Sequence, residues 1–419
     1  MTDGEGIKDM DRRDEAWAAI PAALQASVDD GTLAGLVTLA WHRGEVAQLN
    51  TVGLANVAAG TPMRRDTIFR IASMTKPVTS LVALMLVEEG KLRLDDPITR
   101  WLPEFAGLLV LDDPAGPVSQ ASPAPREITV EDLMTHRSGI AYTFTSAPAL
   151  SRAYDERLGG VNSHLGADEW LAALASLPLT YPPGERFHYG HSTDVLGFLL
   201  ARIEGRSLGE VLRARVFDPL GMGDTAFWVP AEKRGRLAAL YRAPHPGRDG
   251  GLKDVSPPAS DIPPPPGAFE SGGGGLFSTV DDYLAFARLL LGRGAVDGVR
   301  LAEPETVDLM AANRLTARQR SLPAFGLPFW ASQGFGLGLA VITDPEKHRL
   351  MGAGAAGAFG WPGAYGTWWQ ADPANDAILI YLIQDAMSLS TEAVTAGPQR
   401  LAGRMVLPAF QKLTYRALQ

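Results

Sequence analysis

The sequence predicts an α+β fold, in which one antiparallel sheet flanked by helices is assembled from both ends of the chain. Strand-like apolar runs lie near the start, at residues 33–55, and in the last third, at residues 334–384. Between them, residues 101–270 show mostly helical periodicity broken by loops. Strands at both ends join into one sheet when the middle folds as an insertion, so we expect a cleft between the sheet and this helical lobe.

Chain length supports this division. The 419 residues exceed the roughly 250–300 at which a single core stops growing, and 46% of them are hydrophobic. We therefore expect a discontinuous sheet domain, residues 1–100 and 271–419, and a mainly helical lobe, residues 101–270.

The N-terminal elements follow from periodicity. Residues 14–30 predict an amphipathic helix, and the two strand-like runs after it meet at a turn, residues 42–44. Apolar residues at helical spacing predict the next helix, from about residue 77 until Gly90 ends it. The proline-rich stretches 112–125 and 256–270 disfavour helix interiors and central strands, so they predict surface loops.

Later elements alternate in the same way. Helical patterns occupy residues 280–292 and 303–314, and "GFGLGLAVI" predicts a strand. The turn "DPAND", residues 372–376, joins two strand-like runs and predicts an antiparallel hairpin. A helix at about 391–416 closes the chain.

Composition excludes several classes of protein. The formal net charge is −9 with no long basic run, so nucleic acid is not an expected partner. Cysteine is absent, and the seven histidines show no metal-ligand spacing, so we expect neither a metal nor another cofactor. The N-terminus is polar, and no apolar run approaches the roughly 18 residues of a membrane helix. A cytoplasmic protein is the expectation; the oligomeric state is not determined.

The stretch "RIASMTKPVTS", residues 70–80, contains a Ser-x-x-Lys pair. Proline is tolerated only in the first turn of a helix, so Pro77 places Ser73 at the helix start and Lys76 on the same face. A lysine that loses its proton there can activate the serine as a nucleophile, and the helix dipole favours the developing anion. Serine is equally a common N-cap, with a surface lysine behind it, so the pair alone leaves both interpretations open.

Two other motifs could indicate a different kind of active site. "GRSLG", residues 205–209, matches the Gly-x-Ser-x-Gly nucleophile motif, but a helical pattern rather than a strand precedes it. Ser207 with Glu210 instead predicts a helix capping box. "SGGGGLFST" lacks the lysine of a phosphate-binding loop and predicts a flexible approach to the cleft, ending in a cap at Thr279.

The wider sequence resembles the serine β-lactamase and penicillin-binding-protein superfamily, and is most similar to the family VIII carboxylesterases. The likeness begins at "DTIFRIASMTKPVTSLVALMLVEEGKLRLDDPITRWLPEF" and continues through "ITVEDLMTHRSGI", "PPGERFHYGHSTDVLGFLLARIEGRSL", "GGGGLFSTVDDYLAFARLLL" and "GAFGWPGAYGTWWQADPANDAILIYLIQ". These blocks lie in family order over about residues 20–390. The resemblance implies a serine β-lactamase-like fold with its active site in the cleft.

Catalytic roles follow from the same resemblance. Ser73 corresponds to the nucleophile and Lys76 to its base, and Tyr189, in Tyr189-Gly190-His191, corresponds to the residue that relays a proton to the leaving group. His191 stands where the family has asparagine, which implies a differently shaped acyl pocket. The oxyanion hole would use the backbone N–H groups of Ser73 and Ala364.

The third family motif distinguishes esterases from β-lactamases. Where β-lactamases carry Lys-Thr-Gly on an edge strand, this chain has Trp361-Pro362-Gly363, and the esterases carry Trp-x-Gly. A tryptophan offers no charge for a β-lactam carboxylate and favours an apolar ester. Tyr142 and Phe144 either line the cleft or pack in the core.

Together these features predict a serine hydrolase that cleaves small-molecule carboxylic esters through a Ser73 acyl-enzyme. An acyltransferase or a weak β-lactamase or peptidase on the same scaffold is an alternative. A non-catalytic binding domain is a third possibility, which the complete set of Ser73, Lys76 and Tyr189 disfavours.

Overall fold

The computed structural model describes residues 3–159, 165–242, 251–257, 268–386 and 402–419, and of residues 3–12 and 402–405 it describes the backbone. The helices are α1 Asp3–Asp29, α2 Thr75–Glu88, α3 Val130–Met134, α4 Pro148–Leu158, α5 Ala167–Ala175, α6 Ser192–Glu204, α7 Leu208–Leu212, α8 Asp218–Leu220, α9 Val280–Leu291, α10 Pro304–Ala311, α11 Ala317–Ser321, α12 Pro345–His348 and α13 Ala402–Leu418. The strands are β1 Gly35–His42, β2 Glu45–Asn56, β3 Thr61–Pro62, β4 Phe69–Arg70, β5 Leu109–Leu111, β6 Ala121–Pro123, β7 Tyr241–Arg242, β8 Lys253–Asp254, β9 Phe277–Ser278, β10 Ala295–Val296, β11 Val299–Arg300, β12 Gln333–Phe335, β13 Ala340–Ile342, β14 Phe359–Gly360, β15 Trp368–Asp372 and β16 Ala377–Leu382.

One large antiparallel sheet has the strand order β12-β13-β14-β15-β16-β1-β2-β3. The early strand β1 lies beside the late strand β16, in a register that runs from Val37 opposite Leu382 to His42 opposite Ala377. The sheet therefore combines both ends of the chain, and the predicted α+β fold is confirmed.

Both predicted hairpins are present. At the β1–β2 turn Arg43 and Gly44 have φ values of 48° and 97°, in the left-handed region that a tight turn requires. At the β15–β16 turn the Asp372 carboxylate accepts hydrogen bonds from the backbone N–H groups of Ala374 and Asn375. Aspartate closes such turns because its short side chain reaches the following amides.

The central position of β16 in the sheet explains why its sequence is continuously apolar. Alternate residues of a strand face opposite sides of a sheet. Leu379 and Tyr381 pack with Ile20 of α1 and Phe410 of α13, whereas Ile378 and Ile380 join the main core on the other face. Helices cover both faces, so every residue of β16 is buried.

The helical region supplies the second wall of the molecule. Helix α2 is buried from Thr75 to Leu86 and packs against α6 in this region. No helix in the part of the chain that the structure describes is long and apolar enough to cross a lipid bilayer.

Several element predictions differ from the structure. The stretch 112–125, expected to be a loop, contains β6, which pairs with the preceding strand β5 and completes a short hairpin. "GFGLGLAVI" forms two strands, β12 and β13, because Gly338 turns the chain with a φ of 93°. Most of the stretch 256–270, and residues 391–401 of the closing helix, lie outside the described residues.

Candidate active site

Ser73 lies in a single tight turn, Ala72–Met74, that leads directly into α2. Ala72 has a φ of 46°, a left-handed conformation that costs an L-residue roughly 1–2 kcal/mol. Neighbouring hydrogen bonds hold the turn: Ile71 donates its N–H to the Leu276 oxygen over 3.0 Å and accepts from the Thr367 hydroxyl over 3.1 Å. Hydrogen bonds between Ile71 and two distant segments, at Leu276 and Thr367, therefore hold the strained turn in place.

The Ser73 hydroxyl is not used to cap the helix. The N-cap residue of α2 is Met74, and no side chain caps it. The interpretation of Ser73 as a cap with a surface lysine is wrong, because Lys76 is fully buried. Instead the Ser73 Oγ accepts hydrogen bonds from Lys76 Nζ over 3.1 Å and from the Tyr189 hydroxyl over 2.7 Å.

Lys76 Nζ has three acceptors, which matches the three protons of an ammonium group. They are Ser73 Oγ at 3.1 Å, the Tyr142 hydroxyl at 3.2 Å and the backbone oxygen of Gly273 at 2.6 Å. To accept the Ser73 proton, Lys76 must donate only two of these bonds. The arrangement thus holds the lysine in place while leaving Ser73 as the partner for proton transfer.

Tyr189 connects Ser73 to the third predicted motif. Its hydroxyl donates to Ser73 and accepts from the indole Nε1 of Trp361 over 3.1 Å. The Tyr189 ring also lies 4.7 Å from Lys76 Nζ, a favourable distance for a cation over an aromatic face. Tyr189 therefore joins Ser73, Trp361 and Lys76 into one contiguous cluster.

The segment Trp361–Gly363 follows β14 directly. The β-lactamase motif lies on an edge strand, whereas here β14 lies between β13 and β15 and residues 361–363 follow it outside any strand. Gly363 permits a close crossing: a Cβ on this residue would lie 2.0 Å from Thr367 Oγ1 and 2.4 Å from the Ile71 oxygen. Ala364, the expected second oxyanion donor, lines the same cleft as Ser73.

His191 lines this cleft but makes no hydrogen bond to Ser73 among the described contacts. Its Nδ1 lies 2.7 Å from Asp194 Oδ2, and its ring meets the Tyr142 ring edge-on at 4.3 Å. Tyr142 in turn stacks on Phe144, with ring centroids 5.2 Å apart. Tyr142 and Phe144 both line the cleft, which favours the first of the two interpretations of these residues.

Two contributors to the cluster were missed in the sequence. Asp194 is 1% exposed, and Gly273 supplies the shortest of the Lys76 contacts. The glycine run predicted to be flexible is held in place, because the Thr79 hydroxyl donates to the Gly272 oxygen over 2.8 Å. Asp194 lies three residues after His191 on one helical turn, and that spacing was the available signal.

The cleft has a volume of about 1810 Å³, and many aromatic residues line it. Side chains from the helical region and from the sheet contribute to it, among them Tyr142, Phe144, Trp170, Phe269, Phe325, Phe329 and Trp361. Aromatic side chains in the wall favour apolar ligand groups.

The competing serine lies elsewhere. Ser207 is the N-cap of α7: its Oγ accepts from the Glu210 N–H over 3.3 Å, and the Glu210 carboxylate accepts from the Ser207 N–H over 3.0 Å. Gly205 ends the preceding helix with a φ of 65°. The predicted capping box is confirmed. Thr279 likewise caps α9, as predicted.

The chain belongs to the Beta-lactamase family, whose sequence profile matches residues 20–403. It is therefore an enzyme of the serine β-lactamase-like class, and the predicted resemblance and fold are confirmed.

Two relatives and one solved structure are similar to this chain over most of its length. Protein Rv1367c of Mycobacterium tuberculosis is 50% identical over 401 residues, which are 95% of this chain and 98% of the relative. Esterase EstB of Burkholderia gladioli is 34% identical over 388 residues, 88% of this chain and 90% of the relative. Among solved structures, EstCE1, "a hydrolase with promiscuous acyltransferase activity", has a TM-score of 0.76 at 26% identity and is covered over 99% of its length by 96% of this chain.

Proposed function

We propose that the protein is a carboxylesterase that works through an acyl-enzyme on Ser73. One observation carries the proposal: Ser73 Oγ, at the wall of the cleft, lies within hydrogen-bond distance of both Lys76 Nζ and the Tyr189 hydroxyl. A serine with two proton-transfer partners at 3.1 and 2.7 Å meets the geometric requirement for an activated nucleophile.

In the first half-reaction Ser73 Oγ attacks the ester carbonyl carbon and gives its proton to Lys76. The resulting oxyanion is stabilised by the backbone N–H groups of Ser73 and Ala364. The carbon–oxygen bond to the alcohol then breaks, and the departing alkoxide takes a proton from Tyr189, which is restored from Lys76. Water attacks the acyl-enzyme in the second half-reaction by the reverse proton path, and the acid leaves.

The substrate class follows from the wall of the cleft. The Lys-Thr pair that β-lactamases use for a substrate carboxylate is Trp361-Pro362 here, and the Trp361 N–H is bound to Tyr189. The aromatic lining favours neutral esters with apolar acyl or alcohol groups. A small-molecule ester is therefore the proposed substrate.

Acyl transfer is a second candidate, supported by the description of EstCE1 as a hydrolase with promiscuous acyltransferase activity. The two activities share the acyl-enzyme and differ only in whether water or an alcohol attacks it. A cleft of about 1810 Å³ has room for an alcohol acceptor.

The test combines turnover with covalent labelling. Wild type, Ser73→Ala and Tyr189→Phe are assayed with p-nitrophenyl esters of increasing chain length and a chromogenic cephalosporin, and each is labelled with a fluorophosphonate and mapped by mass spectrometry. We expect label on Ser73, complete loss of ester turnover in Ser73→Ala and a loss of about 100-fold or more in Tyr189→Phe. Ser207→Ala is the matched serine control and should keep full activity.

Other outcomes of the same experiment would contradict the proposal. Label on Ser207, or full esterase activity in Ser73→Ala, would contradict the nucleophile assignment. No turnover and no label in wild type would support a binding domain instead. Product analysis with added alcohol then separates transfer from hydrolysis.

A further inference from the structure

A buried carboxylate organises the groups behind Lys76. Asp194 lies in the first turn of α6 and is 1% exposed. Its Oδ1 accepts from the Ser271 hydroxyl over 2.6 Å and from the Gly273 N–H over 2.9 Å, while Oδ2 lies 2.7 Å from His191 Nδ1. The Tyr142 hydroxyl is a further hydrogen-bond partner of this carboxylate.

Two of these partners are also contacts of Lys76. Gly273 donates its N–H to Asp194 and offers its carbonyl oxygen to Lys76, and Tyr142 lies between the same two groups. A Cβ at residue 273 would lie 2.9–3.0 Å from the Asp194 oxygens and 3.0 Å from the Tyr142 hydroxyl. The glycine thus allows the carboxylate to reach the main chain, and Asp194 holds two of the three Lys76 acceptors.

The charge on Asp194 needs compensation because a buried, unpaired carboxylate is costly. Burial alone would raise the pKa of Asp194, but the hydrogen bond and charge of His191, with Lys76 and Ser271, hold it below its usual range. Without His191, Lys76 would be the remaining cation acting on this carboxylate. A carboxylate that lacks the His191 hydrogen bond attracts a positive charge on Lys76 more strongly, and a lysine that keeps its proton cannot accept the one from Ser73.

We propose that the His191–Asp194 pair positions Lys76 for deprotonation of Ser73. Asp194 orients Tyr142 and Gly273 around the lysine, and His191 donates a hydrogen bond to Asp194 that reduces the pull of this carboxylate on a proton of Lys76. The proposal rests on the proposed function, in which Lys76 is the base. It gives a role to the histidine that stands where the family has asparagine.

Other titratable groups that face this cluster are Tyr189 beside Lys76, His136, whose ring lies 4.6 Å from that of Tyr189, and Tyr154, whose ring stacks on that of His191 at 6.0 Å. Burial and the nearby positive charge of Lys76 hold the pKa of His136 well below its usual range, so His136 stays neutral. Burial also raises the pKa of Tyr142, which keeps its proton.

The test measures the second-order rate constant for fluorophosphonate labelling of Ser73 as a function of pH. His191→Phe keeps an aromatic ring beside Tyr142 and removes the hydrogen bond, so the labelling midpoint should move to higher pH by about one unit. Asp194→Asn keeps an oxygen acceptor for Gly273 and Ser271 and removes the charge, so its midpoint should move to lower pH. Opposite shifts would not arise from general loss of structure.

Two further variants serve as controls. His191→Asn restores the family residue, whose amide can donate to Asp194, and should recover part of the labelling rate lost in His191→Phe. Asp282→Asn removes a half-buried carboxylate at a helix start, which accepts from the Asp224 N–H and the Thr225 hydroxyl, each over 2.8 Å, outside the cleft. It should lower the melting temperature and leave the labelling profile unchanged.

Unchanged midpoints in both variants, or shifts in the same direction, would overturn the positioning role. In that case wild type would still label at Ser73, so the proposed function would stand. A wild-type protein that does not label at Ser73 at all would contradict both proposals.

Discussion

Trp361 donates its indole N–H to the hydroxyl oxygen of Tyr189 over 3.1 Å, although the two residues are 172 positions apart. The same hydroxyl donates to Ser73, so the tryptophan determines which way the phenol proton points. Where β-lactamases have a lysine, this enzyme has a neutral donor that orients the tyrosine.

Trp361→Phe tests this orientation. The variant keeps an aromatic wall but loses one hydrogen bond, so kcat for a neutral ester should fall about 10-fold while KM changes little. Trp330→Phe is the matched control, because the buried Trp330 indole N–H has no hydrogen-bond partner among the described residues and Trp330 does not line the cleft. Equal losses of kcat in both variants would show that the hydrogen bond to Tyr189 is unimportant.

Gly363→Ala should abolish both labelling of Ser73 and ester turnover. The added Cβ would lie 2.0 Å from Thr367 Oγ1 and 2.4 Å from the Ile71 oxygen, so the nucleophile turn or the Trp361 segment must shift. Gly235→Ala is the control, because a Cβ there meets no atom within 4 Å. Labelling rates and melting temperatures of the two variants check the prediction, and a fully active Gly363→Ala enzyme would contradict it.

The stability of the protein should depend on pH through His188. Burial lowers the pKa of His188 to about 4, below the roughly 6.5 of an unfolded histidine. Between these values the unfolded chain binds the extra proton, so this contribution is complete above pH 6.5 and is lost as the pH falls towards 4. His188→Phe should therefore show a shallower fall in unfolding free energy over this window.

Urea denaturation at a series of pH values measures the effect. The two proteins should have parallel pH dependence above pH 7, where the histidine is neutral in both states. Identical slopes between pH 4 and 6.5 would show that His188 is not buried in its neutral form.

Tyr415→Phe should destabilise the fold without affecting catalysis. The Tyr415 hydroxyl donates to the buried Asp372 carboxylate over 2.7 Å and so fastens α13 to the β15–β16 hairpin. Loss of this bond leaves a buried charge with fewer donors and should cost about 1–3 kcal/mol in unfolding free energy. Denaturant unfolding measures the cost, and a parallel loss of kcat would contradict the separation of this contact from the active site.

The elements that sequence predicted well are those with a clear period or turn. The β1–β2 and β15–β16 hairpins and helices α1, α2 and α9 follow from alternation, helical spacing and turn residues. The elements it missed depend on partners: β6 exists because β5 lies beside it, and Gly338 divides the predicted strand at residues 334–342.

The residues of the candidate site also divide into those that the sequence predicted and those that it missed. Ser73, Lys76 and Tyr189 were found because their motifs lie in short stretches with family spacing. Asp194 and Gly273 carry no motif of their own, and their importance comes from contacts with Lys76 and Tyr142. Hydrogen bonds between distant segments leave no periodic signal in a single chain.

The amino-acid sequence by itself determined that a helix starts within a few residues of Pro77, the Ser-x-x-Lys spacing and the exchange of Lys-Thr for Trp361-Pro362, because these depend on local geometry and residue chemistry. Only the tertiary structure decided that Ser73 contacts Lys76 and Tyr189 instead of capping a helix, and that His191 pairs with Asp194. The physical reason is burial: hydroxyl, ammonium and carboxylate groups removed from water must find partners, and folding determines which partners lie within reach.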